Sequence, residues 1–278
     1  MSDLTPIIII NAGRSGSQFI VRMLQECNNS IEINHEFNLL KFKPELVKYN
    51  FYKNQQSKIK LLNKFNEYYI KKIINKDHWI DSSYVLTDTL LIKTLAENFP
   101  ELRIIHLVRH GELVVSSWYN KLNEEIYEEK AINKLISGLE KKTLFPPIEK
   151  KYYWNIESNR GITEKSFIKL SQFEKICLHW KKSILTGIEA YKLVKKGNYI
   201  QIRLEDLVSK ENVKNQLTGF IFEGCKLVNK KVNMKPHNIN MKKQFFLTDD
   251  QLQSFSKICS KELNLLGYKP GSHKKIIY

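Results

Sequence analysis

The chain has 278 residues, 42% of them apolar, and Lys and Arg outnumber Asp and Glu by 45 to 29 for a net charge of +16. This length and apolar content support one large α/β domain with a real core and exclude a disordered chain, despite the abundance of Lys and Asn. The charge fits a solvated basic surface and an anionic ligand equally well, so by itself it selects no partner.

In chain order, Pro6 to Ile10 reads as a buried strand closed by Asn11. The run is too short for a secretory leader, and nothing approaches the roughly 20 apolar residues of a membrane span. Gly16 to Glu26 reads as a helix that turns Phe19, Ile20, Met23 and Leu24 to one side. Ser30 to Asn34 is a second strand ending at His35-Glu36, and Leu39 to Asn75 is a lysine-rich, aromatic helical stretch. Trp79-Ile80-Asp81 is a short strand end. Thr87 is the expected cap of a helix running through Leu90, Leu91 and Leu95 to Phe99, with Pro100 just beyond. Leu102 to Val108 is the next buried strand and Glu112 to Tyr119 the next helix. Charge runs, Pro146-Pro147 and the cluster Tyr152, Tyr153, Trp154 mark about residues 120–163 as an insertion or lid. A single long helix is expected over Glu164 to Lys195, then the strand in "NYIQIRLEDL". A last helix opens at Thr248-Asp249-Asp250 and buries Leu252, Phe255, Ile258 and Leu266.

This alternation predicts a single α/β domain over residues 1–278, a mostly parallel sheet flanked by helices on both faces. Ligands in such sheets sit beyond the carboxyl ends of the strands. Cys27, Cys177, Cys225 and Cys259 form no CxxC pair, which gives neither zinc-ligand spacing nor a disulfide framework. A metal-free protein of a reducing, cytoplasmic compartment is the expectation.

The stretch "IIIINAGRSGSQFI" is strand, glycine-rich turn and helix. Gly13 and Gly16 permit a tight turn, so that the amides of Ser15, Gly16, Ser17 and Gln18 converge on one anion beside Arg14. It is not a Walker A loop, because only Arg14 and Ser15 separate the glycines and no Lys follows. The second motif, "IIHLVRHGELVVSSW", spans Ile104 to Trp118 and supports two readings. Its centre, Arg109-His110-Gly111-Glu112, matches the signature of phosphatases that phosphorylate their own histidine, for which His179 or His237 would be the second histidine. About a hundred residues with their own anion loop precede it, and apolar residues follow it, which tells against that reading. The other reading takes Arg109 at the strand end and Ser117 eight positions on, in the following helix, as a planar guanidinium and a hydroxyl for a second phosphate.

Together the motifs resemble those of sulfotransferases that use 3′-phosphoadenosine-5′-phosphosulfate (PAPS). Arg14, Ser15, Gly16 and Ser17 are similar to that family's 5′-phosphosulfate loop, and Gln18 departs where the family carries Ser or Thr. Arg109 and Ser117 resemble its 3′-phosphate site; "YIQIRLEDL" and "KPHNINMKKQFFLTDDQLQSFSKICSKELNLLGY" resemble its later strand and closing segment. The resemblance implies a P-loop-NTPase-like sulfotransferase fold. It also implies PAPS as donor, 3′,5′-ADP as product, and in-line transfer of a sulfuryl group to an acceptor hydroxyl without a metal. Arg14 is then the residue for the leaving phosphate. Glu36 matches the family's base, His35 is an alternative with an imidazole suited to proton transfer near neutrality, and Asp81 is a third candidate. Lys93 reads as a surface charge. The acceptor expected is a glycan or small hydroxylated metabolite, shaped by the segments at 39–75 and 120–163, and not nucleic acid, since the basic residues are dispersed. A noncatalytic nucleotide- or polyanion-binding protein of the same fold is the alternative from a different class.

Overall fold

The computed structural model describes residues 5–27, 32–35, 39–74, 78–83, 88–122, 127, 129–141, 165–222 and 247–272. Five strands form one sheet: β1 (Thr5–Ile10), β2 (Glu32–Asn34), β3 (His78–Asp81), β4 (Arg103–Val108) and β5 (Tyr199–Arg203). Their order is β2-β3-β1-β4-β5, and every pairing is parallel. β1 lies at the centre, covered on both faces, which is why its sequence is a continuous apolar run and not an alternating one.

Successive side chains of β1 point to opposite faces. Ile7 and Ile9 join Ile105 and Leu107 of β4 in a cluster with Ile20, Met23 and Leu24 of α1 (Ser17–Cys27). Ile8 and Ile10 join Ile104 in the opposite cluster, with Phe42 of α2 (Leu39–Tyr52), Leu61 and Phe65 of α3 (Gln55–Phe65), and Tyr69. Tyr69 lies in a π-helical turn, Asn66–Ile70, that leads into α4 (Lys71–Ile74). The helical stretch expected over 39–75 is thus interrupted at Lys53, whose φ is 48°, and restarts where Asn54 caps Ser57 N at 2.8 Å.

The cap of α5 (Thr89–Asn98) is Asp88, which accepts Leu90 N at 2.9 Å, whereas the expected cap Thr87 lies outside the described residues. Lys93 is exposed and pairs with Glu97 one turn on. α6 (Gly111–Leu122) follows β4, and within the range read as a lid, Glu129–Glu140 forms α7. Tyr152, Tyr153 and Trp154 lie outside the described residues.

The long helix expected over 164–195 is broken. A short α8 (Lys165–Ile168) stops, and Ser171 opens α9 (Gln172–Glu189) with a capping box: Glu174 N donates to Ser171 Oγ at 3.2 Å and Ser171 N to Glu174 Oε2 at 2.8 Å. These two bonds satisfy orphan donors that a continuous helix would have tied to carbonyls, so the S-x-x-E signature prevails over the apolar period. β5 runs into α10 (Leu204–Ser209) and α11 (Glu211–Ile221). α12 (Asp249–Leu265) starts at the expected Thr248, also with a capping box, and buries Phe255. A third apolar cluster, with Val108, Val115, Trp118, Trp180 and Phe255, joins α6, α9 and α12 at the carboxyl end of the sheet. Cys177 and Cys259 meet inside it as free thiols, with Cys259 Sγ donating to the Cys177 carbonyl at 3.4 Å.

Close approach of α9 to β4 depends on Gly187, where an added Cβ would come within 2.2 Å of His106 Nε2. Gly187→Ala is expected to lower stability by about 1–3 kcal/mol, read from thermal unfolding, since overpacking displaces the ring. His106 is buried, with Nδ1 3.0 Å from the Tyr199 hydroxyl, and burial pushes its pKa down to about 3. The unfolded imidazole titrates near 6.5, so between these values the unfolded chain binds more protons and stability falls as pH falls. His106→Gln is expected to flatten that acid-side loss of stability, measured by unfolding midpoints from about pH 7 to pH 4; an unchanged slope would rule out this source.

Candidate active site

The turn after β1 is curled by a run of left-handed residues: Gly13 at φ 67°, Arg14 at 51° and Gly16 at 87°. Glycine adopts such values without strain, but Arg14 is held there by its surroundings. Asn11 fastens the start of the turn, with Nδ2 donating to the Ile9 and Ser82 carbonyls at 3.3 and 3.2 Å and Oδ1 accepting Gly13 N at 2.9 Å. Space also restricts both glycines. A Cβ at Gly13 would lie 2.5 Å from the Trp118 ring, and one at Gly16 would lie 2.6 Å from Leu204. α1 begins immediately after, and the opening amides of a helix have no intrahelical carbonyl to bond, so they and the helix dipole favour an anion there.

The two sequence motifs meet at this turn. Arg14 Nε donates to Ser117 Oγ at 3.1 Å, and Arg109 Nη1 donates to the Arg14 carbonyl at 2.9 Å. Arg14, Ser17, Arg109 and Ser117 are all half-buried, and Gln18 is exposed. Ser15 is buried and donates its hydroxyl to the Gly13 carbonyl at 2.9 Å, so in this structure its side chain shapes the loop. The result is one continuous rim carrying two guanidinium groups, two serine hydroxyls and a helix N-terminus. That set is suited to an extended ligand with two separated anionic groups.

On the other side of the loop lie the ends of β3 and β2. His35, the first residue after β2, is exposed, and its Nε2 is 3.1 Å from Ser17 Oγ. Glu36 lies outside the described residues. The strand ends are stitched together: Ser82 N donates to the Asn34 carbonyl at 3.0 Å, and Ser82 in turn receives Asn11. Asp81 is fully buried and its Oδ1 accepts Ser83 N at 2.6 Å. Its carboxylate therefore shapes the turn after β3 and is not presented at the surface. Asp81 also lies against Tyr69, whose hydroxyl is raised well above its usual pKa, first by burial and then by the neighbouring carboxylate.

His110, the residue that the phosphatase reading needs as nucleophile, is placed elsewhere. It is buried at the start of α6, with Nε2 3.0 Å from Ser272 Oγ and 3.3 Å from the Lys269 carbonyl, and its ring is 4.9 Å from Tyr268. His110 N donates to Glu205 Oε1 at 3.0 Å, and the Tyr268 hydroxyl donates to Glu205 Oε2 at 2.6 Å. Gly271 N donates to Glu112 Oε1 at 2.8 Å. The four-residue match thus marks a structural junction between α6, α10 and the segment after α12.

Two further residues support the loop. Trp118 Nε1 donates to the Ala12 carbonyl at 3.1 Å, and His179 Nε2 lies 3.3 Å from the same oxygen. A carbonyl only accepts, so the proton of His179 resides on Nε2. Trp118 stands next to Ser117 in the sequence, which is a signal of sorts. His179, which the phosphatase reading offered as a second histidine, instead stacks edge-on against Trp118 at 5.7 Å.

Among the described residues no group of three or more His, Cys, Asp or Glu is placed to hold a metal ion. No described helix is long and apolar enough to cross a membrane. No family model matches the sequence, and neither does any curated protein. Solved structures do match. The sulfotransferase domain from the curacin biosynthetic pathway is 14% identical, with 95% of this chain and 98% of that one covered at a TM-score of 0.52. The sulfotransferase domain from the Synechococcus PCC 7002 olefin synthase is 13% identical, covering 91% and 94% at a TM-score of 0.41. The first of these likenesses extends over nearly the whole of both chains, and on it this α/β domain, with its five-stranded parallel sheet between helices, has the fold of a sulfotransferase domain.

Proposed function

We propose that the protein is a sulfotransferase that takes a sulfuryl group from PAPS and delivers it to an acceptor hydroxyl of a glycan or small metabolite. The observation that carries this reading is the interlock of Arg14, Arg109 and Ser117, residues about a hundred positions apart that meet at one helix N-terminus. A nucleotide with phosphates at its 3′ and 5′ positions has the two separated anionic groups such a rim suits. The loop amides and Arg14 would hold the 5′-phosphosulfate end, while Arg109 and Ser117 would hold the 3′-phosphate.

The donor supplies the sulfuryl group, and the residues of this chain bind, orient and neutralise. Arg14 offsets charge on the departing phosphate oxygens, where fixed donors act most strongly. Removal of the acceptor proton falls to the His35–Glu36 pair at the end of β2. The bond from His35 to Ser17 supports its half of that assignment by placing the imidazole against the loop. A protein of the same fold that binds the nucleotide without turnover is the second reading, favoured by the departure at Gln18.

Binding of 3′,5′-ADP, followed by calorimetry, is the first test. Arg109→Ala is expected to weaken it by about 10- to 100-fold, the loss of one or two charged hydrogen bonds, and an unchanged affinity would remove the 3′-phosphate assignment. Gly13→Ala is expected to weaken the same binding through displacement of Trp118. Transfer of labelled sulfate to a panel of sugars and phenols is the second test. Glu36→Gln and His35→Gln should each retain 3′,5′-ADP binding, and the one that removes the base should lower turnover by about 100-fold or more. Nucleotide binding with no transfer to any acceptor favours the noncatalytic reading.

A further inference from the structure

The hydrogen bonds of Asn11 reach from the anion loop to the end of β3, and those of Ser82 carry on to the end of β2. We infer that Asn11 is a positioning residue, which registers the donor loop against the strand end where the acceptor proton is taken and so sets turnover more than affinity. This rests on sulfuryl transfer at the Arg14–Ser17 loop.

The parallel ladder between β1 and β3 ends at the pair Ile8–Asp81. Beyond that pair Asn11 supplies a further tie. Its Nδ2 donates to the Ser82 carbonyl at 3.2 Å and to the Ile9 carbonyl at 3.3 Å, while its Oδ1 accepts Gly13 N at 2.9 Å. Carbonyls only accept and a backbone N–H only donates, so these partners leave the Asn11 amide one orientation. A carboxylate has no proton to give, and a hydroxyl has one, so neither replaces two donors and an acceptor.

The Ser82–Ser83 peptide group is held at both ends. Its oxygen receives Asn11, and its N–H donates to Asp81 Oδ1 at 2.6 Å. In a trans peptide the C=O and N–H point in opposite directions, so the Asp81 carboxylate polarises the group toward Asn11. Ser82 N then carries the tie onward to the Asn34 carbonyl at 3.0 Å, and Asn34 directly precedes His35 and Glu36. Asn11, Asp81, Ser82 and Ser83 are each at most 1% exposed, which strengthens their bonds by excluding water. In-line transfer depends on the distance from the sulfur on the loop to the proton acceptor, and a misplacement of about 1 Å costs about 100-fold in rate. The tie acts on that distance, whereas Arg14 and Arg109 act on the grip of the nucleotide.

Asn11→Asp separates the two halves of the tie, because a carboxylate still accepts Gly13 N but donates nothing to Ser82. Calorimetry with 3′,5′-ADP counts the folded sites, and transfer of labelled sulfate from saturating PAPS is then expressed per site. Affinity is expected to stay within about threefold of the unaltered protein, and turnover to fall by about 10- to 100-fold. Asp81→Asn keeps an oxygen for Ser83 N without its charge, and a smaller fall in the same direction is expected from it, so it carries the test if Asn11→Asp does not fold. In both variants the pH–rate profile should keep its position, since neither residue takes the proton. Unchanged turnover per site in the variants that fold, affinity falling in step with turnover, or a displaced pH–rate profile overturns this role of Asn11 and leaves sulfuryl transfer standing. Nucleotide binding without transfer by the unaltered protein removes the reaction and this role with it.

Discussion

The loop after β1 exists in its observed shape because two carbonyl oxygens are held from outside it. The Ala12 carbonyl receives Trp118 and lies against His179, and the Arg14 carbonyl receives Arg109. A left-handed non-glycine residue costs on the order of 1–3 kcal/mol and persists only where its neighbours over-determine it. Arg14 is such a residue; Arg109, just after β4, and Ser117 of α6 hold it directly, while His179 of α9 lies against Ala12 two residues before it. The carboxyl-end core of Val108, Val115, Trp118, Trp180 and Phe255 is therefore a clamp on the site as well as packing. Residues that bind nothing themselves fix where the guanidinium groups stand.

Much of the fold was legible because its signals are local. Each of the parallel strands at the centre carries a short apolar run, and Thr248 announces its helix by a side-chain oxygen placed to accept a backbone amide. Local signals also explain the errors. The amphipathic period continues across 164–195 through the capping box at Ser171, so the apolar spacing alone does not mark where α8 ends and α9 begins. At α5 the cap is not the expected Thr87 but the next residue, Asp88, whose carboxylate accepts Leu90 N.

The site was legible in part for a different reason. Arg14, Arg109 and Ser117 belong to motifs, and a motif states chemistry at a fixed spacing. His179 belongs to none, and Asn11 lies in the first motif without a chemistry assigned to it there. His179 reaches Ala12 across 167 residues of sequence, and no spacing rule anticipates such a contact. Asp81 shows the converse: a carboxylate at a strand end reads as chemistry, but depth in the fold decides whether it faces a ligand or, as here, its own turn. The net charge of +16 proved less informative than two of its members, Arg14 and Arg109, because placement and not number gives a guanidinium its role.

The junction around His110 has a consequence in time as well as in space. Arg109 precedes a turn whose fasteners are Glu205 and residues 268–272, and these are translated more than ninety residues after it. While the ribosome has yet to deliver them, the half of the rim that carries Arg109 lacks its ties to α10 and to the segment after α12. A growing chain can thus contain β1 and β4 while the turn after Arg109 still lacks these fasteners. The ties of Arg109's turn are complete only when residues 268–272 close over the beginning of α6.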